Sequence, residues 1–80
     1  MSGHECKSSD VKLGDFDTVQ QCADACAATR GCYFFDFGTN WKKGRCYWEQ
    51  TQGEDNTICP EGYQSDKYDF YELTGMYDCI

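Results

Sequence analysis

Three groups of side chains in this sequence have the types and spacing to do chemistry. The first is a set of seven cysteines in 80 residues: Cys6, Cys22, Cys26, Cys32, Cys46, Cys59 and Cys79. Zinc sites favour Cys-x2-Cys pairs or cysteine with histidine, whereas the regular pair here is Cys22-x3-Cys26 and the only histidine is His4. The cysteines therefore indicate disulfides of an oxidised scaffold, and no metal ligands are expected. The second group is acidic, densest at Glu54-Asp55 and at Asp66 and Asp69. A paired acid and base needs two carboxylates in one cleft with unlike environments, which a chain this short has little room to build. These carboxylates read as solvated faces, and the regular Asp ladder of a calcium loop is absent. A nucleophilic cysteine would need a base that His4 is poorly placed to supply. No catalytic residue, no cofactor and no enzyme activity are expected.

The third group is Trp41, Lys42, Lys43 and Arg45, with Tyr47 just beyond, the one basic patch on an acidic chain. An aromatic plate beside charged donors suits a sugar, whose C–H face lies on the ring while its hydroxyls take hydrogen bonds. These five residues are the candidate ligand site. The competing reading folds Trp41 back onto a sheet and leaves the lysines for solubility.

The elements that must position these groups centre on Thr18 to Trp48. Thr18 with Gln21 three residues on is a capping box. Val19, Cys22, Ala23, Cys26 and Ala27 then form the apolar stripe of a helix facing a core, and Gly31 supplies the stop. Cys32 to Phe37 alternates as a strand, with Tyr33, Phe35 and Phe37 on one side and Phe34 and Asp36 on the other. Gly38 to Gly44 is a polar loop, and Arg45 to Glu49 is the strand that returns from it. Phe35, Phe37 and Trp48 are assigned to the core, with Tyr47 turned outward.

Around this centre, Val11 to Leu13 is a short first strand and Lys67 to Leu73 an imperfectly alternating last one. Phe16 could staple the helix entrance. Gln50 to Gly62 has no apolar periodicity and reads as a surface loop. Residues 1–5 are expected to be a disordered N-terminus, with Met1-Ser2-Gly3 little more than a start codon and a cloning remnant, and residues 6–80 a single domain. A chain this small buries a low fraction of its surface, so staples are expected. Its 13 aromatic residues, the sum of two Trp, six Tyr and five Phe, exceed what so thin a core can hide, and several rings must be partly exposed.

The net charge of −7 argues against nucleic acid and acidic membrane surfaces. No apolar run is long enough to span a membrane, and no signal segment or N-glycosylation sequon is present. A secreted, extracellular chain is the expected setting.

Cysteine at the start, Cys-x3-Cys on a capped helix, Gly-Cys-x2-Phe-x-Phe on the next strand, Cys-x-Trp on its hairpin partner and cysteine at the end resemble the PAN/Apple domain, over Cys6 to Cys79. The resemblance implies a small disulfide-rich α+β fold, one α-helix packed across a short antiparallel β-sheet. It also implies the pairs Cys6–Cys79, Cys22–Cys46 and Cys26–Cys32, which spacing alone could not choose among the fifteen possible. Cys59 is then the odd cysteine. It is a free surface thiol, the bond of a covalent dimer, or part of a rearranged pair such as Cys59–Cys79 with Cys6 free.

The resemblance supplies two classes of function, since such domains bind proteins in clotting zymogens and growth factors and bind carbohydrate in surface adhesins. Fold alone does not decide between them. The expectation is a non-catalytic adhesion module that binds a cell-surface glycan through the hairpin tip. The alternative is protein–protein interaction, or a structural role in a larger secreted protein with dimerisation through Cys59.

Overall fold

Thr18 and Gln21 form the reciprocal cap that their spacing predicts. In the computed structural model, which describes residues 1–53 and 58–80, the Thr18 hydroxyl accepts from the Gln21 N–H at 3.2 Å and the Gln21 side chain accepts from the Thr18 N–H at 3.1 Å. Two donors that a helix start leaves open are thereby satisfied. Helix α1 runs Val19–Ala27 and buries Cys22, Ala23 and Cys26. It stops sooner than Gly31 implies. Ala28 is the cap, and a turn follows in which Thr29 donates to the Cys26 carbonyl and Cys32 to the Thr29 carbonyl, closed by the Cys26–Cys32 disulfide. Gly31 does take a left-handed φ of 87°, but within that turn.

The strands are β1 His4–Cys6, β2 Asp10–Asp15, β3 Phe34–Gly38, β4 Arg45–Glu49, β5 Tyr63–Ser65, β6 Tyr68–Glu72 and β7 Asp78–Cys79. Five of them form one antiparallel sheet in the order β2-β4-β3-β6-β7, while β1 and β5 pair as a separate ribbon. The central hairpin is the expected one, with Phe35 opposite Trp48 and Phe37 opposite Cys46.

Strand alternation sorts the two faces. Phe35 and Phe37 meet the buried face of α1 with Cys32 and Cys46, and Leu13, Phe16, Val19 and a half-buried Trp48 pack around them. The Cys22–Cys46 disulfide ties α1 to β4 through this core. On the opposite face Cys6, Cys59 and Phe70 form a second core, joined by Phe34, Ile58, Tyr63 and Ile80. Phe34 stacks on Phe70 with centroids 5.9 Å apart, and Tyr63 meets Phe70 edge-on at 5.7 Å. The molecule is thus three layers: helix, sheet and ribbon.

The ribbon corrects the expected disulfide frame. Cys6 is bonded to Cys59, and Cys79 is the free, exposed cysteine. Chain entropy does not choose between the alternatives, since loops closed at residue 59 or 79 differ by only about 0.3 kcal/mol in that model. Position does. Cys6 ends β1 opposite Tyr63 of β5, so the segment leading into β5 brings Cys59 to it over Phe70, whereas Cys79 is carried on β7 at the sheet edge opposite Tyr71. A dimer bond through Cys59 is excluded by the same pairing, and so is Cys59–Cys79. The expected loose start is also corrected. His4–Cys6 is a strand, and Met1 pairs with β6, its carbonyl accepting from the Phe70 N–H at 2.9 Å. Of the expected 50–62 loop, Glu54 and Asp55 lie outside the described residues.

Candidate functional site

The β3–β4 connection is built around a close backbone approach. A Cβ on Gly38 would stand 2.0 Å from the Lys42 carbonyl oxygen, so only glycine fits. Asn40 then adopts φ 51°, a left-handed conformation that asparagine tolerates better than most residues. A single 3-10 turn over Asn40–Lys42 follows, and it projects Trp41 with 70% of its surface exposed.

Two of the other four sequence-predicted residues come together around that ring. Lys42 Nζ lies 5.0 Å from the Trp41 centroid and 4.9 Å from that of Tyr68. The Arg45 guanidinium carbon lies 5.2 Å from Trp41. Both cations are within the range where the ring quadrupole attracts them. Lys42 also pairs with Asp66 at 2.7 Å, both side chains largely shielded. That contact and the Lys67 N–H hold the Asp66 carboxyl below its ordinary pKa, the Lys42 hydrogen bond being the larger cause. Burial pushes the Tyr68 phenol up to about 12. Tyr47 reaches the cluster only through Tyr68, which it meets edge-on at 5.8 Å. Lys43 is exposed, and its backbone N–H closes the turn onto the Asn40 carbonyl at 3.2 Å.

Beside Trp41 an open cleft of about 580 Å³ runs between the tip and the ribbon, lined by residues that include Gly3, His4, Asn40, Asp66 and Lys67. Its lining places residues bearing an imidazole, an amide, a carboxylate and an ammonium along one cleft with an exposed ring. Sequence reasoning missed His4, Asp66, Lys67 and Tyr68 as neighbours of Trp41. They arrive through pairing of β5 with β1 and β6 with β3, and Thr39 N–H donating to the Lys67 carbonyl at 2.8 Å locks the two loops together.

A second polar arrangement lies on the same sheet face, away from the tip. Asp36 of β3 and Glu49 of β4 are each 1% exposed. Glu49 Oε2 accepts from the Ser8 hydroxyl at 2.8 Å. Both Asp36 carboxylate oxygens and Glu49 Oε1 have no hydrogen-bond donor among the described residues. The two buried carboxyls act directly on each other, and a hydrogen bond between them needs a proton on one of them. Burial raises both pKa values, Glu49 to about 7 and Asp36 further, where repulsion from Glu49 adds to the burial. The sequence put Asp36 on the face away from the helix but gave no sign that the face is covered.

Among the described residues, one cluster of metal-ligand type occurs, Cys6, Cys59 and Glu61. Its two sulfurs are bonded to each other, so it offers no thiolate to an ion.

A helix stapled by disulfide across an antiparallel sheet, a covalently tied ribbon on the other face and an exposed ring beside a polar cleft together define a small disulfide-rich α+β binding module. A family model described as the PAN domain matches residues 1–75, and the chain belongs to that family. PAN domains are modules of extracellular proteins that bind protein or carbohydrate. No significant match was found among curated proteins or among solved structures. Among the described residues no helix is long and apolar enough to cross a membrane.

Proposed function

We propose that this PAN domain is a secreted adhesion module that binds a cell-surface glycan between the hairpin tip and the ribbon. The observation that carries the reading is Trp41: a large ring 70% exposed, held between Lys42 and Arg45 and bordering an open cleft with polar walls. Burying a side chain of this size is ordinarily worth about 2–3 kcal/mol. A ring left in solvent but fixed in orientation is pre-organised to receive an apolar face, which lowers the ordering cost of binding.

Roles within the site divide by what each side chain is free to do. Trp41 is the plate. Arg45 and Lys43 supply N–H donors from the tip, and His4, Asn40 and Lys67 supply donors from the cleft walls. Lys42 is committed to Asp66 and orients Trp41. Tyr47 stands behind Tyr68 and supports it.

The test is a glycan array probed with the oxidised protein, beside a reduced and alkylated sample and the Trp41→Ala/Lys43→Ala variant. Signal on a related group of sugars is expected, competed by free sugar and lost in both controls. Unchanged binding by a folded double variant would move the site elsewhere. Silence across the array would favour protein recognition, pursued by pull-down from an extracellular extract.

A further inference from the structure

The Asp36–Glu49 pair is buried in a way that two ionised carboxylates cannot be. Among the described residues three of its four oxygens face no donor, and the fourth takes the Ser8 hydroxyl. Unpaired buried charge is strongly disfavoured, so such groups neutralise instead. The charged groups acting most strongly on the pair are Asp10 of β2 and Glu5 of β1, both acidic. Across from Asp36, β6 presents Phe70 and β4 presents Tyr47. Among the described residues the Ser8 hydroxyl is the one donor to the pair, and a proton shared between the two carboxyls makes their contact favourable.

The position of the pair gives that proton a mechanical consequence. Ser8, which closes over Glu49, lies in the connection between β1 and β2, and the Ser9 carbonyl is held by the Gln50 N–H at 2.8 Å. This connection anchors β1, and β1 with β5 carries the far wall of the Trp41 cleft through Gly3, His4, Ser65 and Asp66.

We propose that Asp36 and Glu49 form a proton-held latch under the ribbon, which secures the cleft wall at acidic and neutral pH and releases it as pH rises. The part of this inference that concerns ligand rests on the glycan-binding reading above; the latch itself does not. Acids whose folded pKa is raised contribute stability that is complete below the unfolded value, near 4.5 for Glu49. That stability is lost as pH climbs toward and through the folded value. The domain should therefore be most stable in mild acid, although its acidic composition places most of its titration below that range.

The experiment is urea denaturation of the oxidised protein at half-unit steps from pH 5 to 8, with the wild type, Glu49→Gln, and Asp36→Asn/Glu49→Gln. Each proton the folded pair retains and the unfolded chain has lost lowers the folding equilibrium constant tenfold per pH unit. The wild type should show that slope, and the double variant, whose amide mimics the protonated acid, should be nearly flat. Glu49→Gln keeps an acceptor for Ser8 and a donor for Asp36, so it serves if the double variant does not fold. Hydrogen exchange of β1 and β5 amides, measured relative to α1 in the same sample, should lose protection with rising pH in the wild type alone.

A flat wild-type profile overturns the latch. So does a rise in stability on adding millimolar calcium at pH 8 in the wild type but not the double variant, since a cation would then hold the pair. Glycan-array signal at pH 5.5 and 8 separates the two readings: a sloped stability profile with a silent array leaves the latch standing and removes the ligand. Array signal that falls at pH 8 in the wild type alone supports both.

Discussion

Lys42 and Lys43 are neighbours of the same type, yet the fold gives them different work. Lys42 is drawn between two rings and onto Asp66, while Lys43 stays in solvent. Sequence shows both as cations of one patch, because what distinguishes them is a carboxylate 24 residues away. The contiguous part of the site, Trp41 with its flanking cations, was therefore legible, and the part contributed by other strands was not. A prediction belongs to this pair. Asp66 has a lowered pKa, so its contribution is present above the unfolded value near 3.8 and is lost as pH falls through the lower folded value. In a Trp48→Phe background, where Trp41 is the only indole, its emission should shift below about pH 4. Asp66→Asn should show the shifted emission at every pH. Because Lys42 and Asp66 still keep 15% and 27% of their side-chain surface in water, the pair is partly screened, and Lys42→Ala should change global stability by less than about 1 kcal/mol while releasing the ring.

At the scale of elements, α1 and the β3–β4 hairpin could be read because their signals are local. A capping box, a 3.6-residue stripe and an alternating aromatic run each lie within one short window. β1, β5 and β7 are two or three residues long, too short to show a period, and they exist only as partners of other segments. The helix ends sooner than Gly31 implies for a related reason: the Cys26–Cys32 bond closes a turn after Ala28, before Gly31 can act as the cap. Two substitutions test how these elements are made. Thr18→Ala removes the reciprocal cap and should lower stability by about 1 kcal/mol in chemical denaturation. Increased exchange confined to the first turn of α1 should accompany it. Gly38→Ala inserts a methyl where the Lys42 carbonyl already sits. The tip backbone must shift, with a loss of about 1–3 kcal/mol, and the Trp41 emission should match that of Lys42→Ala. A Gly38→Ala protein with wild-type stability and emission would mean the close approach does not hold in solution.

For the whole molecule, the question is how one chain of 80 residues sustains two cores. Neither could be large, and each is crossed by a covalent bond: Cys22–Cys46 joins helix to sheet, and Cys6–Cys59 closes the ribbon over the other face. The resemblance tied the first cysteine to the last, because six cysteines of a seven-cysteine chain had to be chosen by analogy. The match to the PAN family ends at residue 75, before Cys79, and the second core supplies the partner that analogy assigned elsewhere. Alkylation of the native oxidised protein decides among the pairings. One adduct is expected, on the peptide carrying Cys79; an adduct on Cys59 would restore the Cys6–Cys79 bond, and one on Cys6 the Cys59–Cys79 bond. Stability should follow the same division. Cys79→Ser should stay within about 0.5 kcal/mol of the wild type, as for other exposed sites. Cys6→Ala/Cys59→Ala, which opens the ribbon and leaves Cys79 as the one free thiol with neither of those cysteines to pair with, should lose about 2–5 kcal/mol. The loss should appear first in exchange of β1 and β5 amides, because those strands form a ladder apart from the five-stranded sheet and β1 is tied to that sheet through flanking residues such as Met1 and Ser9.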